Sequence, residues 1–202
     1  MSNTLCLYDD GEDAWPLKLH LGGGGVYLRG YANYDLDGTL ACGNPSAVTC
    51  NLTNVTDYYA RLDGDIDHLP QRRMTVVDIR CDISYLPHAP HTVDKLLCLQ
   101  VFEHLTPVKA IETLVMWSAL LKRGRPLVMS VPDMEGTLDL IEGNWRFALR
   151  HLRGRGGDDA NTHQAWYTRK SLQEILEYAG FTVDWLPNVH FYPAIVVRAV
   201  KR

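Results

Sequence analysis

The sequence has no paired cysteines of metal-site type, no excess of positive charge and no apolar run long enough to cross a membrane. Each lack excludes something. The five cysteines, at positions 6, 42, 50, 81 and 98, include no C-x-x-C pair, so the chain reads as a protein of a reducing compartment without a disulfide framework. Cys81 and Cys98 lie in apolar, strand-like runs, where a free cysteine behaves as a small hydrophobe. Only Cys42 and Cys50, which flank a polar loop, leave room for a metal, and none is expected there. Lys and Arg number 20 against 24 Asp and Glu, a formal charge of −4. No global field therefore draws the chain to nucleic acid or to an anionic membrane, which leaves only a local basic patch open. No window approaches the roughly 18 apolar residues of a membrane-spanning helix. The first fifteen residues, MSNTLCLYDDGEDAW, lack the basic and apolar regions of a secretory signal. A cytoplasmic location is expected, and the two Asn-x-Thr sequons at 51–53 and 54–56 are then read as chance.

What is present is an ordinary globular composition, 46% apolar and 22% charged over 202 residues, enough for one domain with its own core. LKLHL (17–21) reads as a short strand stopped by four glycines, and YANYDLD (31–37) as a second strand ending in acidic residues. Residues 38–73 change character, broken by Gly38, Gly43, Asn44, Pro45, Gly64 and Pro70, and are expected to be an insertion too short for a core of its own. One helix is expected within VTDYYARLDGDIDHL. MTVVDIRCDI (74–83), KLLCLQ (95–100) and PLVMSVP (126–132) read as buried strands. Thr106 and Pro107 supply an N-cap and first position for a helix with apolar residues at Val108, Ile111, Leu114, Val115 and Ala119, stopped by Gly124. Residues 134–165 are mixed and lid-like, with GRGG at 154–157 as a joint. TRKSLQEILEYAGF (168–181) reads as a helix, and FTVDWLP and PAIVVRAV as closing strands. Continuous apolar strands alternating with helices predict an α/β sandwich around a mostly parallel sheet. Ligands bind such sheets at the carboxyl ends of the strands, where the glycine run lies.

The glycine run Gly22–Gly25 fits neither frame of the dinucleotide pattern G-x-G-x-x-G, because the sixth position is Tyr27 or Leu28. No Gly-Lys-Ser/Thr follows, which excludes a Walker loop, and apolar strands on both sides exclude a linker. The remaining reading is a loop that brings backbone close to a ligand, which a Cβ would block.

LHLGGGG, then NYDLD, then DIRCDISYLPHAPHTVDKLLCLQVFEHL, then LLKRGRPLVMSVPD, and later HQAWYTRKSLQEILEYAGF, follow one another in an order that resembles the class I S-adenosylmethionine-dependent methyltransferases. The chain is closest to their short bacterial and phage-type members. The resemblance implies a Rossmann-like domain with a mostly parallel seven-stranded sheet and an antiparallel last strand, with S-adenosylmethionine as cofactor. It also implies roles for particular residues. Gly22, Gly23 and Gly24 would pass against the methionine moiety, and Asp35 would accept from the two ribose hydroxyls. Asp82 and the backbone of Ile83 would meet the adenine, and Gln100 would line the pocket floor. The chain departs from the family pattern at His20, where an acidic residue is usual, and at Val26, where a third glycine would fall. Only nine residues, 22–30, separate the first two strands, fewer than a helical crossover needs, so either the first helix is truncated or the strands have other limits.

For methyl transfer to an oxygen or nitrogen acceptor, the sequence offers His104, after the fourth strand, as a general base. Asp133, His163 and Tyr167 are candidates to line the acceptor site. Arg146 and Arg150, at helical spacing with Arg153, are candidates to guide an anionic acceptor. A small molecule or sugar is the expected acceptor. No Asn/Asp-Pro-Pro-Tyr/Phe motif points to nucleic acid. The competing reading is a non-catalytic binding or partner subunit that keeps the fold.

Overall fold

Period-two alternation along the central strands decides the layering. The computed structural model describes residues 16–28, 30–41, 52–56, 69–72, 75–154, 156 and 161–202. In chain order the strands are Lys18–Leu21 (β1), Ala32–Asp35 (β2), Thr39–Leu40 (β3), Leu52–Thr56 (β4), Leu69–Arg72 (β5), Val76–Val77 (β6), Ile79–Arg80 (β7), Lys95–Leu99 (β8), Pro126–Pro132 (β9), Phe181–Leu186 (β10) and Ala194–Lys201 (β11). The helices are Pro107–Leu120 (α1), Met134–Leu138 (α2), Ile141–Arg153 (α3) and Arg169–Tyr178 (α4), with a 3₁₀ turn at Phe102–His104. Seven strands form one sheet in the order β10-β11-β9-β8-β1-β2-β7. Pairing is parallel from β7 through β9, and β11 alone runs against its neighbours, antiparallel to both β9 and β10. This is the expected sheet, antiparallel last strand included.

Leu19 and Leu21, Ala32 and Tyr34, Leu96 and Cys98, and Leu127, Met129 and Val131 share one face of the sheet. They pack there with Leu114 and Trp117 of α1 and with Leu172 and Leu176 of α4. The intervening residues Leu97, Leu99, Val128 and Val196 face the other way and meet Val26, Leu28 and Tyr31. The second layer is therefore the β1–β2 connection itself. The shortage of residues left room there for a truncated helix at most, and none of the described residues between β1 and β2 is helical. The connection is held by polar groups instead. His20 and Asn33 stand opposite one another in the β1/β2 register, and His20 Nδ1 donates to Asn33 Oδ1 at 3.0 Å. The same oxygen takes the Leu28 amide, while Asn33 Nδ2 donates to the carbonyls of Leu28 and Tyr31 and to Asp78 Oδ2.

Two sequence expectations need correction. The run 74–83 is not one strand. Asp78 divides it into β6, which pairs with β3, and β7, which pairs with β2, because its carboxylate turns to take the Asn33 amide and the Tyr27 hydroxyl. In α1 the cap is as expected, Thr106 accepting from the Lys109 amide, but Val108, Ile111 and Val115 are exposed, and Ala110, Thr113, Leu114 and Trp117 face the core. Trp117, fully buried with its indole N–H donating to the Ile83 carbonyl at 2.9 Å, fixes that rotation. The helix expected within 55–69 falls largely on residues outside those described, and its described flanks are the paired strands β4 and β5. The late helix matches expectation, with a reciprocal capping box between Thr168 and Ser171. No helix among the described residues is long and apolar enough to cross a membrane.

Burial of His20 pushes its pKa down to about 4, only partly opposed by the Asn33 hydrogen bond. An unfolded histidine titrates near 6.5. As pH falls from that value toward 4, the unfolded chain takes up a proton that the fold refuses, so stability falls across this window. The expected loss from this group is about 3 kcal/mol. Urea unfolding at stepped pH checks it: His20→Gln should flatten the profile by that share, and an unchanged slope contradicts the assignment.

Candidate active site

The carboxyl ends of β1, β2, β7, β8 and β9 lie along one edge of the sheet because these strands are parallel neighbours. Asp35 is the last residue of β2, the glycine loop, Gln100 and Asp133 follow directly on β1, β8 and β9, and Asp82 lies just past β7.

The three loop glycines are required for different reasons. Gly22 has φ +66, and a Cβ on it would lie 2.4 Å from Val101 Cγ2. A Cβ on Gly23 would lie 2.5 Å from the His20 ring. Both glycines serve the packing of the loop on the strands beneath. Gly24 has φ +52 and open space where its Cβ would be, and its amide donates to Asp35 Oδ2 at 3.0 Å. Asp35 is half-buried and ties the loop to the next strand end. Asp82 is exposed, and its Oδ1 accepts from both the amide and the hydroxyl of Ser84. Ile83 is buried beside it, its carbonyl committed to Trp117.

Gln100 holds a left-handed backbone, φ 58, uncommon for a side chain of its kind. Its amide donates to the Ser130 carbonyl at 2.8 Å, and its Nε2 donates to Ser130 Oγ at 3.1 Å. Ser130 Oγ lies 3.1 Å from His190 Nε2. Burial and the neighbouring His151 push the His190 pKa down to about 4, so a neutral imidazole stands beside the serine hydroxyl. Gln100 thus joins a relay with two residues that the sequence reading did not select.

A second polar group gathers on the 3₁₀ turn and the segment facing it. Glu103 is 1% exposed, and burial raises its pKa to about 8. Its Oε1 is 3.8 Å from His163 Nε2. Burial and the neighbouring imidazoles of His104 and His151 push the His163 pKa down to about 4, outweighing the raising effect of backbone carbonyls. The His104 and His163 rings meet edge to face with centroids 4.9 Å apart. His104 Nδ1 donates to the Thr162 carbonyl at 3.1 Å, which leaves the ring's lone pair on Nε2. Tyr167 packs on Phe102, with its hydroxyl pKa raised by burial and by Glu103. Asp133 is tied in through the backbone, its amide donating to the Pro193 carbonyl and the Met134 amide to the Tyr167 carbonyl. Among the described residues, five buried side-chain atoms lack a hydrogen-bond partner, and four of them belong here: Glu103 Oε2, His163 Nδ1, Asp133 Oδ1 and Tyr167 Oη. Such atoms are costly unless something satisfies them. The sequence pointed to His104, His163, Tyr167 and Asp133, and Glu103 was not among its candidates. The signal available was an acidic residue inside the apolar context LQVFEHL.

Arg146 and Arg150 are not part of this group. Both are exposed on α3, Arg146 lying over the Trp145 ring at 5.3 Å. They stand on the segment whose end is fastened to the cluster through the Arg153 carbonyl and the His163 amide.

No protein-family model matches the chain and no curated protein matches it in sequence. Solved structures do. An S-adenosylmethionine-dependent methyltransferase from Methanosarcina mazei aligns over 91% of this chain and 91% of its own, at 15% identity and a TM-score of 0.53. One from Archaeoglobus fulgidus aligns over 92% and 86%, at 15% identity and 0.52. A Thermotoga maritima S-adenosylmethionine-dependent methyltransferase, named as a possible histamine N-methyltransferase, aligns over 92% and 82%, at 15% identity and 0.51. At such identities the likeness carries architecture alone, and by that architecture the chain has the Rossmann-like fold of S-adenosylmethionine-dependent methyltransferases.

Proposed function

We propose that the protein is an S-adenosylmethionine-dependent methyltransferase acting on an oxygen or nitrogen of a small molecule or sugar. The observation that carries this reading is the Gly24–Asp35 junction. An open glycine and a carboxylate bonded to it occupy adjacent strand ends, at the edge where this fold binds ligands. Gly24 and its neighbours would pass the methionine moiety. The Asp35 carboxylate, with one oxygen held by Gly24, would present the other to the ribose hydroxyls. Asp82, Ile83 and Gln100 would frame the adenine and the pocket floor. The bound cofactor supplies an electrophilic methyl group. The protein's part is to align the acceptor and, for a hydroxyl, to take its proton.

In this reading His104 receives that proton at Nε2, its ring held in the required tautomer by the Thr162 carbonyl. Asp133, His163 and Tyr167 would line the acceptor side. Residues 134–165 would serve as a lid over it, residues 38–73 remaining an insertion in a single domain. Arg146 and Arg150 on that lid would favour a phosphorylated or carboxylated acceptor.

Calorimetry with S-adenosylmethionine and S-adenosylhomocysteine tests the reading directly. Binding of both is expected. Absence of either interaction overturns the cofactor assignment, and binding without turnover on any acceptor would favour a non-catalytic binding subunit. Asp35→Asn should weaken binding about 10- to 100-fold, the loss of a charged acceptor. Gly24→Ala should also weaken it while costing the fold only about 1–2 kcal/mol, the penalty of a left-handed alanine. Screening phosphorylated and carboxylated sugars against an Arg146→Ala/Arg150→Ala variant checks the acceptor class. A raised KM with unchanged cofactor affinity is expected, and an unchanged KM removes the anionic acceptor.

A further inference from the structure

We propose that Glu103, His104 and His163 form a binding site for a divalent first-row transition-metal ion, zinc foremost, with a coordination position left for an exogenous ligand. One ligand atom from each of the three lies within 4.8 Å of the other two. Around a single ion with bonds of about 2.0–2.2 Å, tetrahedral ligands sit about 3.5 Å apart. The approach still required is of the size that side-chain torsions supply.

The backbone already holds the three residues together. The amides of Gln164 and Ala165 both donate to the Glu103 carbonyl, at 2.8 and 3.1 Å, and the His163 amide donates to the Arg153 carbonyl at 3.0 Å. The segment that carries His163 is thus fastened to the turn that carries Glu103 and His104.

Three features favour an ion over a merely structural cluster. Glu103 is buried with Oε2 unpartnered, and among the described residues no lysine or arginine pairs with it. A buried carboxyl in that state is costly unless a cation or a further donor completes it. His163 turns its Nε2 toward the Glu103 carboxyl, 3.8 Å from Oε1. His104 donates its Nδ1 proton to a backbone carbonyl, the arrangement that orients metal-binding histidines and fixes their tautomer. Two imidazoles with one carboxylate select zinc and its neighbours over magnesium or calcium, which prefer oxygen ligands throughout. Three protein ligands leave a catalytic-type site open.

Binding of the ion does not rest on the methyl-transfer reading; only its use does. If the cofactor reading holds, an acceptor hydroxyl on the open position would be acidified by the ion and give up its proton to solvent water, with His104 serving as a ligand in place of the base.

Cobalt(II) titration of the purified, tag-free, chelator-treated full chain provides the test. Visible d–d bands that saturate at one equivalent and are displaced by zinc are expected. Glu103→Gln, His104→Ala and His163→Ala should each lower the affinity at least about 10-fold, since even second-shell losses reach that size. Circular dichroism of each metal-free variant establishes folding, and His104, only part-buried, provides the variant least costly to the fold. Failure of the wild-type chain to bind cobalt or zinc saturably overturns the proposal, as does binding that the His104 and His163 substitutions leave unchanged. Cofactor calorimetry on the same metal-free samples keeps failure here separate from failure of the methyltransferase reading.

Discussion

Asn33 is the constraint on which the rest of the site edge depends. A parallel pair of strands ordinarily needs a long crossover, most often a helix that covers the sheet. Here β1 and β2 pair directly across a connection without a helix among its described residues. The side-chain amide of Asn33 takes over the helix's task. It meets His20, both backbone groups of Leu28, the Tyr31 carbonyl and Asp78, pinning the connection to the sheet while Val26, Leu28 and Tyr31 cover Leu97 and Leu99. The glycine loop starts from this anchorage, and the position of Gly24 beside Asp35 follows from it.

The strands of the sheet and their mostly α/β alternation were legible because continuous apolar strands and two well-capped helices are strong local signals. Thr106-Pro107 and Thr168 with Ser171 mark helix starts through backbone chemistry that sequence displays directly. The face of α1 was not legible in the same way. Val108, Ile111 and Val115 satisfy the helical period, but Trp117 and its bond to Ile83 choose the rotation, and that partner lies across the fold. Asp78 divides an otherwise strand-like run for the same reason: its partners, Asn33 and Tyr27, are distant in sequence. The shortness of the β1–β2 connection was legible by counting residues. What replaced the helix was not, since His20 appeared only as a departure from a family pattern.

The candidate site was legible in proportion to its reliance on strand ends. Asp35, Gln100 and Asp133 end strands and could be placed by topology alone. Glu103 could not, because the cost of its burial emerges only when His163 arrives from a segment about 60 residues later. The site then has two unlike halves. Around the glycine loop, the fold satisfies its own polar groups and leaves one glycine open. Around Glu103, it gathers polar atoms that it does not satisfy. The first half is organised to receive a ligand by shape, the second by chemistry.

Among the described residues, helices cover one face of the sheet and a loop covers the other. The helical face buries Trp117, Leu114, Leu172 and Leu176, whereas among the described residues the loop face rests on Val26, Leu28 and Tyr31 and on the Asn33 amide. Layers with few buried apolar contacts open at lower free energy than the body they cover. A molecule bound at the glycine loop would therefore act as part of the missing wall, and by mass action its binding would stabilise the sheet edge beneath it. The protein's resilience on that side becomes a function of what is dissolved around it.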